Sequence, residues 1–189
     1  MIGPLEIAAN VTTAAAILLA GRNNIHTWWI GIIGCVLFGV LFYKWKLYAD
    51  VALQAFFVVS SLIGWRHWLK GERGTVLPIS NVKLHSLLFI VPAGVAATAG
   101  YGALLHYHTD AYAPFVDSAV LVFSIVAQLL LMQRRIENWP FWIIVNSIAV
   151  PLYASRGLHL TSVLYAFYLV NAVVSWLWWR RLARVPVAA

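Results

Sequence analysis

Leu47-Tyr48-Ala49-Asp50-Val51-Ala52-Leu53-Gln54-Ala55-Phe56 is echoed 111 residues later by Leu158-His159-Leu160-Thr161-Ser162-Val163-Leu164-Tyr165-Ala166-Phe167. Extended outward from this block, the match runs without a gap from Pro4–Trp68 to Phe115–Trp179, with 17 identities in 65 positions. Trp28, Trp65 and Trp68 fall on Trp139, Trp176 and Trp179. Each half therefore reads as one structural unit, and a site between the halves draws on both.

Of the 189 residues, 62% are hydrophobic and 10% charged. Soluble domains are about 45–50% apolar and about 25% charged. A helix that crosses a bilayer needs ~17–25 mostly apolar residues. Seven stretches approach this: Pro4–Ala20, Trp28–Tyr43, Asp50–Trp68, Lys83–Leu105, Phe115–Met132, Trp139–Tyr153 and Leu160–Trp179. None alternates in the manner of a barrel strand. The sequence predicts an all-α polytopic membrane protein with seven transmembrane helices.

The net charge of +7 fits the same plan. With the N-terminus outside, ten of the 13 Lys and Arg residues lie at inner ends, and only Lys44, Lys46 and Arg156 lie outside. Such a bias sets N-out, C-in topology and needs no nucleic-acid partner. The first apolar stretch lacks a basic leader, has Glu6 ahead of its apolar run, and is the repeat partner of Phe115–Met132, so it is expected to be a structural helix and not a cleaved signal. The lone Cys35 excludes a disulfide framework and reads as a packed residue.

Three helices, a linking helix and three more give a 3+1+3 pattern: residues 4–68, a linker over 69–114, and residues 115–179. An odd linker leaves the triplets in the same orientation, the parallel-repeat arrangement. Asp50 and its counterparts Thr161 and Ser162 are expected to cap the third and seventh helices. Glu6 and Asp117 start the first and fifth, where the helix dipole favours an anion. Asp117 has a second reading, the attraction of a cationic solute into an outer vestibule. His106-Tyr107-His108-Thr109-Asp110 has no metal-ligand spacing and reads as a loop.

Polar side chains inside membrane helices face the bundle or a watery cavity. Glu6, Asn10 and Thr13 form one stripe on the first helix, and Asp117, Ser124 and Gln128 continue the same register on the fifth. On the sixth, Trp139, Trp142 and Asn146 share a face; on the seventh, Tyr165, Tyr168 and Asn171 do. The first half offers Gln54, Phe57, Ser60 and Gly64, and has Gly31 and Cys35 where the second has Trp142 and Asn146. The second half thus carries bulk and amides on a shared scaffold. Most of the ten tryptophans sit at inner ends, which interfacial belts account for.

The missing chemistry narrows the class. All four lysines lie at helix ends, which excludes a retinal Schiff base, and the chain has neither HExxH nor a Gly-rich phosphate loop. No carboxylate falls at mid-membrane to relay a proton. No catalytic constellation, cofactor site or metal site is expected. The sequence points to reversible binding of a neutral or cationic solute without energy coupling.

Leu47-Tyr48-Ala49-Asp50 through Leu53-Gln54, Phe56-Phe57, Gly64-Trp65 and Trp68 resembles the first half of the PnuC family of bacterial nicotinamide riboside transporters. Asp117-Ser118, Ser124 to Ala127, Arg134-Arg135-Ile136-Glu137-Asn138-Trp139, Trp142 and Asn146, continuing to Tyr165 and Asn171, resembles its second half. Glu-Asn-Trp-x-x-Trp is the most specific part. The resemblance implies a SWEET-like 3+1+3 fold, a homotrimer in the bacterial inner membrane, and uptake by facilitated diffusion with trapping by a separate kinase. Family members for thiamine and riboflavin give the alternative substrates.

Nicotinamide riboside has a flat cationic ring, which an indole face attracts. Its hydroxyls and carboxamide need donors and acceptors of the kind Asn and Gln supply. The expected ligands are Trp142 stacked on the ring, Trp139, Tyr165 and Tyr168 as walls, and Gln54, Gln128, Asn146 and Asn171 for the polar groups. A sugar carrier is disfavoured by the absence of a Pro-Gln dipeptide. A seven-helix receptor is disfavoured by the parallel duplication and by the absence of an effector domain.

Overall fold

Pro4 and Pro114 each stand at the start of a helix, where the missing N–H of proline removes a donor that has no intrahelical partner anyway. The computed structural model describes residues 3–44, 48–71, 77–109, 113–157 and 159–184. Seven helices are arranged in chain order: α1 (Pro4–Gly21), α2 (Thr27–Lys44), α3 (Tyr48–Lys70), α4 (Leu84–His108), α5 (Pro114–Met132), α6 (Asn138–Ser155) and α7 (His159–Leu182). Each expected apolar stretch coincides with one of them, with ends that differ by at most three residues. Among the described residues, five (α1, α2, α4, α5 and α7) are long and apolar enough to cross a membrane. The other two carry more polar residues: Arg66, His67 and Lys70 on α3, and Asn138, Asn146 and Ser155 on α6.

Six of these helices close into a ring. Going round it, α1 packs on α2, α2 on α3, α3 on α5, α5 on α6, α6 on α7, and α7 back on α1. α4 stands outside and packs on α5 alone, setting its buried Gly94 and Gly102 against Phe123 and Phe115. Within residues 4–68 and 115–179 successive helices are neighbours. Two seams join the groups, α1 with α7 and α3 with α5, and they are equivalent under the 111-residue offset.

The turns that precede α2 and α6 match bond for bond. Asn23 N–H donates to Ala20 O and Asn24 N–H to Leu19 O; Arg134 N–H donates to Leu131 O and Arg135 N–H to Leu130 O. Asn23 and Arg134 are the two non-glycine residues with positive φ among those described, at 55° and 50°. An L-residue is disfavoured there, so each turn is held in place by bonds from the residues just after it. Thr27 hydroxyl donates to Ala16 O of α1 at 2.8 Å. Asn138 amide donates to Arg135 O at 2.6 Å.

The segment before α4 is stitched to the second of these turns. Ser80 N–H donates to Arg134 O and Ile136 N–H to Ser80 O. Arg134 donates to Leu77 O at 2.6 Å, Arg135 donates to Ser80 Oγ at 2.7 Å, and Glu137 accepts from Val82 N–H at 2.8 Å. The linker is therefore fixed to the α5–α6 turn by main-chain and charged side-chain bonds, the latter the stronger kind.

The expected caps are corrected. α3 begins at Tyr48 and α7 at His159, so Asp50, Thr161 and Ser162 lie inside their helices. The position of the Asp50 side chain is outside the described residues. Ser162 hydroxyl instead donates to Val150 O of α6 at 2.8 Å, joining two helices rather than ending one. Thr109 donates to Leu105 O and so closes α4, while Asp110 lies outside the described residues.

The belt reading of the tryptophans is also corrected. Trp28, Trp68, Trp139 and Trp179 are buried in one cluster with Ala20, Leu131, Met132, Ile136 and Ala172. Trp65 and Trp176 pack half-buried against it, and only Trp29 and Trp178 of this group face outward. The room for Trp28 comes from Gly64, where a Cβ would run into its six-membered ring.

Candidate functional site

Two contacts fix the register of α6 on α7. Trp139 meets Trp179 edge-on at 5.5 Å between ring centroids, and Tyr153 meets Tyr165 at 4.9 Å toward the other end. Asn146, midway between Trp139 and Tyr153, therefore comes level with Ala172 and its neighbour Asn171. Tyr168 is buried next to Tyr165, with their rings 5.7 Å apart. Sequence reasoning misses Tyr153; its place one helix away from Tyr165 is visible only once the register is known.

Trp142 is half-buried and lies between two apolar clusters, the tryptophan group and a second one formed by Ala127, Leu130 and Phe141. The second contact brings α6 against the turn of α5 that carries Gln128. Gln128 is buried, and its amide donates to Ser60 hydroxyl of α3 at 3.3 Å. Asn171 amide donates to Ile17 O of α1 at 3.4 Å. Gln128 and Ile17 are equivalent positions in the repeat, as are Ser60 and Asn171. Both seams are thus bridged at one register, by an amide from α5 in one case and from α7 in the other. Ser60 is the residue that sequence reasoning leaves among the scaffold, and the repeat itself is the signal for it.

Asn146 is buried, with its amide donating to Trp142 O of its own helix at 2.8 Å. Asn146, Gln128 and Asn171 have this in common: the amide nitrogen is engaged and the carbonyl oxygen accepts no bond from a described residue. Amide oxygens of this kind suit a ligand rich in O–H and N–H donors.

Trp139 lies at the end of this group, within the tryptophan cluster, and its indole N–H has no partner among the described residues. Gln54 stands apart. It lines a groove between α2 and α3 with Cys35, Val36, Gly39 and Val59. Val36 and Val59 belong to the exposed faces of their helices, so the groove opens toward lipid. Asn146, Tyr168 and Asn171 lie in the middle turns of α6 and α7, Trp142 one turn nearer the start of α6 and Gln128 one turn from the end of α5, with Trp139 and Tyr165 at the two ends of that group and Gln54 outside it.

At the outer end, Asp117 is bound by Arg156, with Nη2 to Oδ2 at 2.6 Å. Both are half-exposed, so the pair contributes little stability, on the order of 1 kcal/mol. It does correct one expectation: the Asp117 charge is already balanced by an arginine and does not stand free to draw a cation. Among the described residues no group of three His, Cys, Asp or Glu side chains could hold a metal ion.

The described basic residues of the six ring helices sit at helix ends or in turns: Arg22, Lys44, Arg66, Lys70, Arg156, Arg180 and Arg181 at ends, with Arg134 and Arg135 in the α5–α6 turn. Arg134 is buried with its guanidinium 4.1 Å from the centre of a Trp68 ring, and burial lowers its pKa from the ordinary arginine value. Its Nη1 is bonded to Leu77 O and its face lies on Trp68, while its Nε is buried without a partner among the described residues.

A ring of long apolar helices defines a multi-pass membrane protein, and the family it belongs to is one of transporters. The chain belongs to the family described as nicotinamide mononucleotide transporter, whose pattern matches residues 3–181. It is 27% identical over 203 residues to the nicotinamide riboside transporter PnuC of Escherichia coli K12, covering 92% of this chain and 84% of that one. The Neisseria mucosa protein of the same name is 30% identical over 194 residues (95% and 73%). The riboflavin/roseoflavin transporter RibM of Streptomyces davaonensis is 26% identical over 187 residues (95% and 86%). A crystal structure of the vitamin B3 transporter PnuC superposes with a TM-score of 0.76 at 29% identity, covering 95% of this chain and 82% of the other.

Proposed function

We propose that this protein takes up nicotinamide riboside across the bacterial inner membrane by facilitated diffusion, and that the solute binds in the middle turns of α5, α6 and α7. The observation that carries the reading is Trp142. Its half-buried indole lies in the second turn of α6, one turn from Asn146, and Gln128 and Asn171 on the neighbouring helices, like Asn146, keep carbonyl oxygens unengaged by described residues. A pyridinium ring on that indole gains ~0.5–2 kcal/mol, more as water is excluded. The ribose hydroxyls and carboxamide N–H groups donate to the amide oxygens. Tyr168 and Tyr165 wall the outer side.

Charge decides between the riboside and its phosphate. A mononucleotide carries a phosphate that needs a cation or several N–H donors. The ring's basic residues are at helix ends, and the deepest of them, Arg134, is engaged. The riboside fits and the mononucleotide does not.

The same distribution supports transport without coupling. The described carboxylates are Glu6 and Asp117 in first turns and Glu137 on Val82 N–H, with Asp50 the third residue of α3, and none lies in mid-helix. Net movement then runs down the solute gradient, with phosphorylation by a separate kinase retaining it. The two groups of three helices, 4–68 and 115–179, act as parallel repeats in the SWEET-like 3+1+3 sense, rocking on the α1/α7 and α3/α5 seams about an axis along the membrane normal. The distribution of basic residues supports an outer N-terminus and an inner C-terminus. A homotrimer is consistent with α4, which stands outside the ring with Leu84, Leu88 and Phe89 exposed.

Uptake of labelled nicotinamide riboside by proteoliposomes tests the mechanism. The initial rate is expected to be unchanged when a proton or sodium gradient is imposed. A rate that rises severalfold with either gradient refutes facilitated diffusion.

A further inference from the structure

Ring neighbours can pack by ordinary side-chain contact, but helices on opposite sides of a six-membered ring can meet only through its interior. α3 lies opposite α7, and α2 opposite α6; no described Cα of either pair comes within 8 Å of the other. The tryptophans of α3 and α7 nonetheless meet. Trp68 of α3 and Trp179 of α7 have ring centroids 6.1 Å apart. Trp28 of α2 lies edge-on to Trp68 at 5.2 Å, and Trp139 of α6 lies edge-on to Trp179 at 5.5 Å. The four rings form a chain across the ring at the end where α7 finishes, and Trp28 pairs with Trp139, and Trp68 with Trp179, under the repeat.

The chain is latched to the seams. Trp179 indole N–H donates to Gly21 O of α1 at 3.1 Å, and Trp68 indole N–H donates to Leu131 O of α5 at 3.3 Å. Each bond therefore crosses from one repeat to the other. Close approach at the α1/α7 seam depends on Gly21, where a Cβ would collide with the hydroxyl of Ser175. The other two indoles behave differently: Trp28 N–H and Trp139 N–H are buried and have no partner among the described residues.

We infer that these four tryptophans are the cytoplasmic gate of the transport path, shut in this structure, with Trp68 and Trp179 as the latch. The gate rests on the transport reading of the middle turns. Opening breaks two indole hydrogen bonds and gives two buried, unpaired N–H groups access to water or to the passing solute. An unmade bond on a buried donor is itself unfavourable. Losses and gains are thus of the same kind and number, which keeps the open and shut states close in energy, as a passive carrier needs. Trp142 stands one turn of α6 beyond Trp139, so a ring leaving it meets the freed indoles next.

The test reads access to a buried position without any substrate. In a Cys35→Ala background, Ala172→Cys introduces a thiol in the tryptophan cluster, two turns from Trp179. A membrane-impermeant maleimide is applied to inverted vesicles, and the rate of modification is measured. The rate is expected to rise by roughly 10-fold or more when the latch is removed by Trp68→Phe with Trp179→Phe, since each lost indole bond is of about that weight. Gly21→Ala should open the seam and raise the rate similarly, and adding Ser175→Gly should restore slow labelling. Unchanged labelling in both the phenylalanine pair and Gly21→Ala overturns the gate. Nicotinamide riboside uptake is measured on the same proteins. An unaltered chain that takes up none, with latch variants that still label faster, supports the gate and refutes only the substrate.

Discussion

Trp142→Ala is expected to weaken nicotinamide riboside binding by roughly 5- to 30-fold, the equivalent of about 1–2 kcal/mol for a lost cation–π contact in a partly desolvated site. The indole also packs against both apolar clusters, so the variant loses stability as well. Truncating a buried tryptophan costs about 3–5 kcal/mol when it is fully enclosed, and less for a half-buried one. Trp142→Phe separates the two effects. It retains a ring for packing and a weaker face for the cation, so binding should fall by only a few-fold. Isothermal titration on purified protein reads both. Two variants that bind as the unaltered protein does would return Trp142 to a packing role.

Arg134→Ala is expected to destabilise the fold by about 2–4 kcal/mol, the largest single loss outside the tryptophans. Three things change together. A charged hydrogen bond to Leu77 O is lost, a bond type worth about 1.5–3 kcal/mol. The contact with the Trp68 ring, 4.1 Å away, contributes on the order of 1 kcal/mol. The segment before α4 loses one of its ties to the α5–α6 turn. Because φ is 50° at this position, Arg134→Gly should be less harmful than Arg134→Ala by about 1 kcal/mol, since glycine adopts the left-handed region freely. Thermal unfolding in detergent, with and without nicotinamide riboside, orders the three proteins. Equal melting of the alanine variant and the unaltered chain contradicts a structural role for this tie between the linker and the turn.

Helix positions were legible because hydrophobic length alone sets them. The duplication was legible because equivalent turns need equivalent residues: Ile25 with Ile136 and Trp28 with Trp139 come just after the two left-handed positions. Helix starts were not. Asp50, Thr161 and Ser162 are good capping types, yet the helices begin two or three residues earlier, and Ser162 uses its hydroxyl on the neighbouring helix. In a bundle without water, a side-chain hydroxyl serves any carbonyl within reach, so residue type does not disclose which.

The grouping of the candidate residues was legible on α6 and α7, where period and register coincide, and less so elsewhere. Gln54 lies roughly 120° round the helix from Ser60, and it lines a groove with α2 on the outward side. Asp117 offered a free charge on paper and is paired with a residue 39 positions away. The tryptophans are the clearest case. Eight at inner helix ends suited an interfacial belt, and only the ring shows that four of them are buried in one cluster, with Trp68 and Trp179 meeting across it.

The central claim concerns the solute bound by the middle turns of α5, α6 and α7. Equilibrium titration of the purified protein with nicotinamide riboside, nicotinamide mononucleotide, thiamine and riboflavin, followed by tryptophan fluorescence, measures this in one experiment. Saturable quenching by nicotinamide riboside, with the mononucleotide weaker by roughly 100-fold or more for its unpaired buried charge, is the predicted result. Tight binding of thiamine or riboflavin with no response to nicotinamide riboside would contradict it.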